Sequence, residues 1–325
     1  MTPGLVSIVI VTHNNASDIE LAVSSAVHQS YPRVEVIVVD NASTDGTEVL
    51  VAQRFGDRVR YLRQAENRFD GGGYNAGFRA ARGEFIQFLD ADDFLAPEKI
   101  ETQVAVFQAN PQADIVRGRF RRFQRHAGQA VWVDADAAPP ADLLGALIAS
   151  TNVGAETGLL IHSLLFRRRT LERLGEWDET IIGADLDFFL RAAWAACRFA
   201  ECPESLCFYQ VRPGQMSADV ATHLANREKT WAKALEYVTE EPYRSAIAKK
   251  LARLRFCVAT SRGTRSRRER LELLRQAYRT HSEALSPAAV GVGWVLTVVP
   301  GARALLAPRW LHQLRSQFAT SLGLK

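Results

Sequence analysis

The chain has 325 residues, 47% hydrophobic and 23% charged, with a formal net charge of +4, which is enough apolar material for one large domain plus an extension. No internal repeat or low-complexity segment is present. The four cysteines (Cys197, Cys202, Cys207 and Cys257) lack the Cys-x-x-Cys and His spacing of a zinc site, so reduced thiols in a reducing compartment are expected.

In chain order, residues 5–11 form a continuous β-branched run that stops at Thr12-His13-Asn14-Asn15. No leader precedes it, so a cytosolic-facing chain is expected. Ile19, Val23, Ala26 and Val27 follow at helical spacing, and Tyr31-Pro32 closes that segment. Residues 34–39 are a second apolar run, ending at Asp40 and a loop that contains Asp45. Runs that are hydrophobic throughout fit parallel strands covered on both faces. Residues 59–62 read as a third strand. The triplet Gly71-Gly72-Gly73 satisfies a dinucleotide pattern but follows the wrong strand for it. It reads instead as a flexible loop before a helix that starts at Tyr74, whose exposed N–H groups favour anions.

Residues 85–89 form another apolar run that ends in Asp90-Ala91-Asp92-Asp93. Aspartate is a poor strand former, so the acids should lie at the carboxyl edge of the sheet, where open α/β folds bind ligands. Asp-x-Asp there can hold Mg²⁺ or Mn²⁺ on a diphosphate. It can equally cap the next helix, whose apolar stripe is Ile100, Val104 and Phe107.

In the order of these motifs the chain resembles the family 2 glycosyltransferases, which carry the nucleotide-sugar-binding GT-A fold. The matching stretches are residues 6–14, 36–45, 67–77 and 88–93. A later match is Trp177-Asp178-Glu179 followed by residues 183–188, so the resemblance covers roughly the first two thirds of the chain. It implies an α/β, Rossmann-like GT-A domain over residues 1–217, with a donor half to about residue 118 and an acceptor half beyond. It also assigns roles. Asp40 would contact the nucleoside, with Thr12 and Asn14 near the same pocket, Asp45 in the adjoining loop and Asn75 around the donor. Asp92 would ligate a divalent metal, Mg²⁺ or Mn²⁺, and Asp90 would touch ribose or a metal-bound water. Asp185 would be the general base that takes the acceptor proton, with Asp187 as the alternative. The family's Glu-Asp pair reads Ala184-Asp185 here, and Asp185 could instead only cap a helix over residues 186–197. Trp177 would wall the acceptor unless its indole belongs to the core.

Residues 205–211 read as one more strand, leading to Arg212 where the family often carries His. Arg cannot ligate a metal but can clamp a diphosphate. The Gln-x-x-Arg-Trp signature of processive synthases is absent, which favours single addition. Arg117, Arg119, Arg121, Arg122 and Arg125 cluster, but no aromatic platform accompanies them and no nucleic acid is expected.

Composition shifts from about residue 218 to a helical, basic extension, with helices expected over 226–238, 242–258 and 267–285. The apolar run 288–299 is too short and broken for a membrane span. Basic and apolar residues over 303–318 suit an interfacial helix on an anionic membrane, or packing on the domain or on a second subunit.

The expected protein is an inverting, metal-dependent transferase on the cytoplasmic side, peripheral on the inner membrane. It would move one sugar from a nucleotide diphosphate sugar, a UDP-sugar by preference, to a glycan or lipid-linked acceptor of surface polysaccharide. Two alternatives stay open: a different nucleotide-binding enzyme, and an inactive membrane-associated scaffold. Homo-oligomerisation is open as well.

Overall fold

The computed structural model describes residues 1–126, 129–135, 140–150, 153–212, 220–260 and 266–281. The chain divides into two compact units, Met1–Pro139 with Val153–Gln215, and Pro140–Asn152 with Met216–Lys325.

The first unit opens with β1 (Thr2–Thr12), α1 (Ile19–Val27), β2 (Val34–Asp40), α2 (Thr47–Phe55), β3 (Arg60–Arg63), α3 (Phe69–Ala80) and β4 (Gly83–Asp90). The β-branched runs pair in parallel in the order β3-β2-β1-β4. Register places Thr12 beside Asp40 and Val11 beside Asp90, so three strands deliver polar residues to one edge. A short β5 (Phe94–Leu95), α4 (Lys99–Ala109), β6 (Ile115–His126) and β7 (Gln129–Ala135) follow. The second unit's α5 (Leu143–Ala149) intervenes before α6 (Val153–Thr157), β8 (Leu164–Arg167), α7 (Arg168–Leu174), α8 (Asp185–Trp194) and β9 (Phe199–Gln210) return to the first unit. The whole is a nine-stranded sheet of order β3-β2-β1-β4-β8-β6-β9-β5, with β7 paired to β6. One side of it is a core in which Ile8, Ile10, Ile19, Val23, Ile100 and Phe107 pack together.

Three elements of the first unit differ from the sequence expectation. The glycine triplet is the first turn of α3 rather than a loop. A Cβ at Gly73 would stand 2.9 Å from Val11 Cγ2 and 3.2 Å from Asn41 Nδ2, and one at Gly77 3.1 Å from Val9 Cγ2. The glycines therefore serve close approach of α3 to the sheet. α8 stops at Trp194, and Ala196 follows with φ +49, which turns the chain. β9 begins earlier, at Phe199, because its first residues pair with Ile115–Arg117 before a register shift.

The second unit contains α5, α9 (Val220–Tyr237), α10 (Tyr243–Thr260) and α11 (Arg267–Thr280). The buried ammonium of Lys250 donates to Ile148 O and Ser150 O, both at 2.6 Å, capping the carbonyl end of α5. Ser266 and Glu269 form a reciprocal capping box on α11. No helix among the described residues is long and apolar enough to cross a membrane. The segments 288–299 and 303–318 lie outside the described residues.

Candidate active site

At the ends of β1 and β2 the structure separates groups that are already engaged from groups that are not. Asp40 is wholly buried. Its Oδ1 accepts from Ser43 N at 2.8 Å, and its Oδ2 accepts from Tyr61 Oη and Arg63 Nη1, both at 2.7 Å. Its lone pairs thus hold the loop after β2 in place. The neighbouring Asn41, which the sequence reading did not single out, is buried and donates through Nδ2 to Phe69 O at 2.7 Å. Its Oδ1 has no partner, and neither has the buried Oγ1 of Thr12. Buried polar atoms are nearly always hydrogen-bonded, so two orphans on adjacent strand ends mark a place for a polar ligand. Asn14, at φ +53, accepts from Thr44 N at 2.7 Å and ties the two loops together. Asp45 is exposed. It accepts from Thr47 Oγ1 at 2.5 Å and from Ala16 N at 2.9 Å, the Asx-type role open to it.

The end of β4 gathers the acids. Tyr74 Oη donates to Asp90 Oδ1 at 2.7 Å. The buried His162, on a 3-10 turn before β8, has Nε2 3.3 Å from Asp90 Oδ2 and Nδ1 2.9 Å from Asp93 Oδ2. Asp93 Oδ1 accepts from Gln210 N at 2.7 Å, fastening β9 to this edge. One ligand atom each from Asp90, Asp93 and His162 lie within 4.8 Å of one another. Asp93 Oδ2 and His162 Nδ1 face each other and make no hydrogen bond to any other group. Two carboxylates and an imidazole suit a divalent cation such as Mn²⁺ or Mg²⁺, so the donor set fits one. Asp92 sits beside this group with Oδ2 2.9 Å from Arg212 Nη2, and Arg212 also reaches Asn15 Oδ1 at 3.2 Å and Asp18 Oδ2 at 3.4 Å. Burial pushes the Asp90 carboxyl up to about 7; the charges of Asp92 and Asp93 add to this, while His162 and the Tyr74 hydroxyl oppose it. Burial, then the charge of Asp92, raises Asp93 well above the carboxylate range, and burial lowers His162. His162 was invisible in the sequence because its partners lie some 70 residues upstream.

Asp185 is the first residue of α8. Its Oδ1 is shut off from solvent and has no partner. Burial raises its carboxyl well above the ordinary range, followed by the negative charges of Asp70 and Asp90. Asp187 is buried and pairs with Arg191 at 3.0 Å. Trp177 is 3% exposed and stacks on Phe188 at 4.2 Å, with Tyr74 and Phe88 against its edges. That is a core position beneath the site rather than an open wall. Asn75 is spent in the same way: it bonds Trp177 N and O at 2.9 and 3.0 Å and Glu179 Oε1 at 3.0 Å. Arg79 pairs with Glu176 and Arg82 with Glu35. The structure therefore brings Thr12, Asn41, Asp90, Asp92 and Arg212 to one edge, with Asp185 coupled to Asp90. It turns Asp40, Asn75, Trp177 and Asp187 inward.

A profile described as Glycosyl transferase family 2 matches residues 7–130, and one described as Glycosyl transferase family group 2 matches residues 85–311. The succinoglycan biosynthesis protein ExoO of Rhizobium meliloti is 33% identical over 224 residues, covering 65% of this chain and 62% of that protein. S. aureus TarS 1–349, solved in complex with UDP-GlcNAc, superposes with a TM-score of 0.59 at 17% identity, covering 98% of this chain and 89% of that one. The mannosyltransferase PcManGT of Pyrobaculum calidifontis, solved with GDP-Man and Mn²⁺, gives 0.56 at 22% identity, covering 98% and 84%. At these identities the structural likeness shows a shared fold. Two further curated relatives are matched over only 33% and 39% of their own length.

Proposed function

The chain belongs to the family 2 glycosyltransferases and has their GT-A fold, and on that premise we propose that it transfers one sugar from a nucleoside diphosphate sugar to a hydroxyl, with inversion. The observation that carries the reading is the edge formed by β1, β2 and β4. Unpartnered acceptors for a base (Thr12 and Asn41) stand at one end of it, and an acidic group that fits a divalent cation stands at the other. Asp40 then serves the donor indirectly, by holding the loop that presents Asn41.

In this reading Asp185 takes the proton of the acceptor hydroxyl as the oxygen attacks the anomeric carbon. The new C–O bond forms while the bond to the diphosphate breaks, and the diphosphate leaves on the opposite face. Burial supports the basicity of Asp185, which a helix start would otherwise lower. Asp92, Asp90, Asp93 and His162 would hold the cation, which supplies electrostatic stabilisation of the leaving diphosphate. Arg212, paired to Asp92 here, is within reach of the same phosphates. A UDP-sugar is the favoured donor. A surface glycan acceptor is supported by the likeness to ExoO, named for succinoglycan biosynthesis; a lipid-linked acceptor on the cytoplasmic face of the inner membrane is the further part of the proposal.

The test is calorimetric titration of UDP, GDP, deoxythymidine diphosphate and NAD, each with and without Mn²⁺. Binding of one diphosphate that needs Mn²⁺ and is lost in Asp92→Asn is the expected result. Metal-independent binding of NAD alone would overturn the proposal in favour of an oxidoreductase, and no binding at all would favour the scaffold.

A further inference from the structure

Asp70, the second residue of α3, is a carboxylate that the transfer reaction described above does not use. It reaches across to the turn that enters α8, accepting from Gly183 N on Oδ1 at 3.3 Å and from Ala184 N on Oδ2 at 3.2 Å. Two glycines permit this crossing. A Cβ at Gly71 would stand 3.3 Å from Trp177 Cβ and 3.4 Å from Asp178 O. Gly183 has φ +70, a conformation L side chains rarely adopt. Asn75, just over one turn further along α3, clamps Trp177 and Glu179 from the same side. The start of α3 is thus seated on residues 177–184.

The seating sets a second carboxylate beside Asp185, at the position where a helix N-terminus ordinarily favours the anion and weakens a base. Like-charged neighbours oppose that effect, because both cannot ionise freely in a buried setting. The titratable groups around Asp185 are Asp70 and Tyr74 from α3 and Asp90 from the end of β4. Glu179 is tied up with Arg68, Arg79 and Asn75, and Asp187 with Arg191. Asp90 is engaged by Tyr74 and His162. Asp70 holds only backbone amides at long distance, which leaves it the neighbour fixed most directly on the entry to α8.

Resting on the reading of Asp185 as the base, we infer that Asp70 is a positioning residue of the transfer reaction. Docked on the turn before α8, its carboxyl is a fixed neighbour with which Asp185 cannot ionise freely at the same time, so that ionised Asp185 is the stronger proton acceptor. Burial likewise raises Asp70 itself, against the pull of the Gly183 and Ala184 amides.

The experiment is a double-mutant cycle on the pH dependence of thermal stability, using the full chain without substrate: wild type, Asp70→Asn, Asp185→Asn and the double variant. Asn keeps the size and one acceptor oxygen of Asp70 and removes only its charge. Carboxyls whose folded-state pKa is raised keep their proton in the fold after the unfolded chain has lost it. Their contribution therefore falls as pH rises through and above the ordinary carboxylate range. Each single variant should lessen that fall, and the double variant should lessen it by less than the sum of the two. Strictly additive effects would overturn the pairing. The second measurement is the pH profile of UDP or GDP release from UDP-GlcNAc and GDP-mannose with Mn²⁺ saturating at every pH, so that loss of metal does not set the acid limb. The acid limb should move to lower pH by about one unit in Asp70→Asn, a tenfold gain in rate on that limb, with donor KM unchanged. An acid limb that stays in place overturns the role assigned to Asp70. Undiminished turnover in Asp185→Asn would instead remove the base reading, and the stability cycle would still report on the pair.

Discussion

Gly77→Ala tests whether the glycines of α3 are there for contact. Two opposing terms set the outcome. Replacing glycine inside a helix gains about 1 kcal/mol of propensity. Against this, the added methyl would overlap Val9 Cγ1 and stand 3.1 Å from Val9 Cγ2 and 3.2 Å from Val39 Cγ2, where carbons prefer roughly 3.5–4.0 Å. Both valines are wholly buried and β-branched, so neither can turn aside cheaply. Overpacking of this kind costs about 1–3 kcal/mol. The overlap with Val9 Cγ1 is the most severe contact and argues for the upper part of that range, which leaves a net loss of about 1–2 kcal/mol after the propensity gain. For a unit of this size that is a fall in Tm of roughly 2–8 °C, read by calorimetry. Val9→Ala in the Gly77→Ala background removes the obstructing methyls and should show a favourable coupling of about 1 kcal/mol or more. A rise in Tm for Gly77→Ala, or no coupling to Val9, would refute the close-packing argument. Because α3 also carries Asp70 and Tyr74, the single variant should weaken Mn²⁺-dependent diphosphate binding as well.

Other consequences can be measured alongside. Asp185→Asn should leave donor binding intact and stop transfer, and full transfer in that variant would exclude it as the base. Mn²⁺ affinity should rise with pH through about 7, because the Asp90 proton must leave first, and Asp93, also raised by burial, must lose its own. Calorimetry in buffers of different ionisation enthalpy should detect proton release on Mn²⁺ binding at and below pH 7. Lys99 is buried with its ammonium on Gln87 Oε1 and Gln103 Oε1, and burial lowers it to about 7. The fold sheds that proton while the unfolded chain keeps it, so wild-type stability should gain as pH rises from about 7 toward the ordinary lysine value of about 10.4. Lys99→Met should lack that gain, and identical pH slopes for the two proteins would contradict it. Arg63→Leu removes a charged donor from the buried Asp40 but leaves Tyr61 and Ser43 N in place. A loss of about 2 kcal/mol is expected from denaturant unfolding.

By itself, the sequence determined the elements and their order. β-branched runs without alternation fit covered strands, and aspartate is a poor strand former, so β1, β2 and β4 and the acidic edge after Phe88-Leu89 were legible from local chemistry. The helices of the extension were legible from composition, with α10 found within about two residues. Only tertiary structure decided which polar groups are used up. Asp40 and Asn75 read as ligand contacts because of their motif positions, yet Arg63, Tyr61 and Ser43 surround one, and Trp177 and Glu179 saturate the other. Conversely, Asn41, His162 and Asp70 carry no local signal. Each matters through a partner, or the lack of one, that burial creates, and the partners lie 28 residues away for Asn41 and 114 for Asp70. The glycine triplet shows the same division. Its flexibility is a property of the residues, but whether that freedom makes a loop or lets a helix lie against Val9 and Val11 depends on what packs against it. Spacing along the chain fixes periodicity and strand ends, whereas hydrogen-bond satisfaction and charge coupling depend on distances that exist only once the sheet has formed.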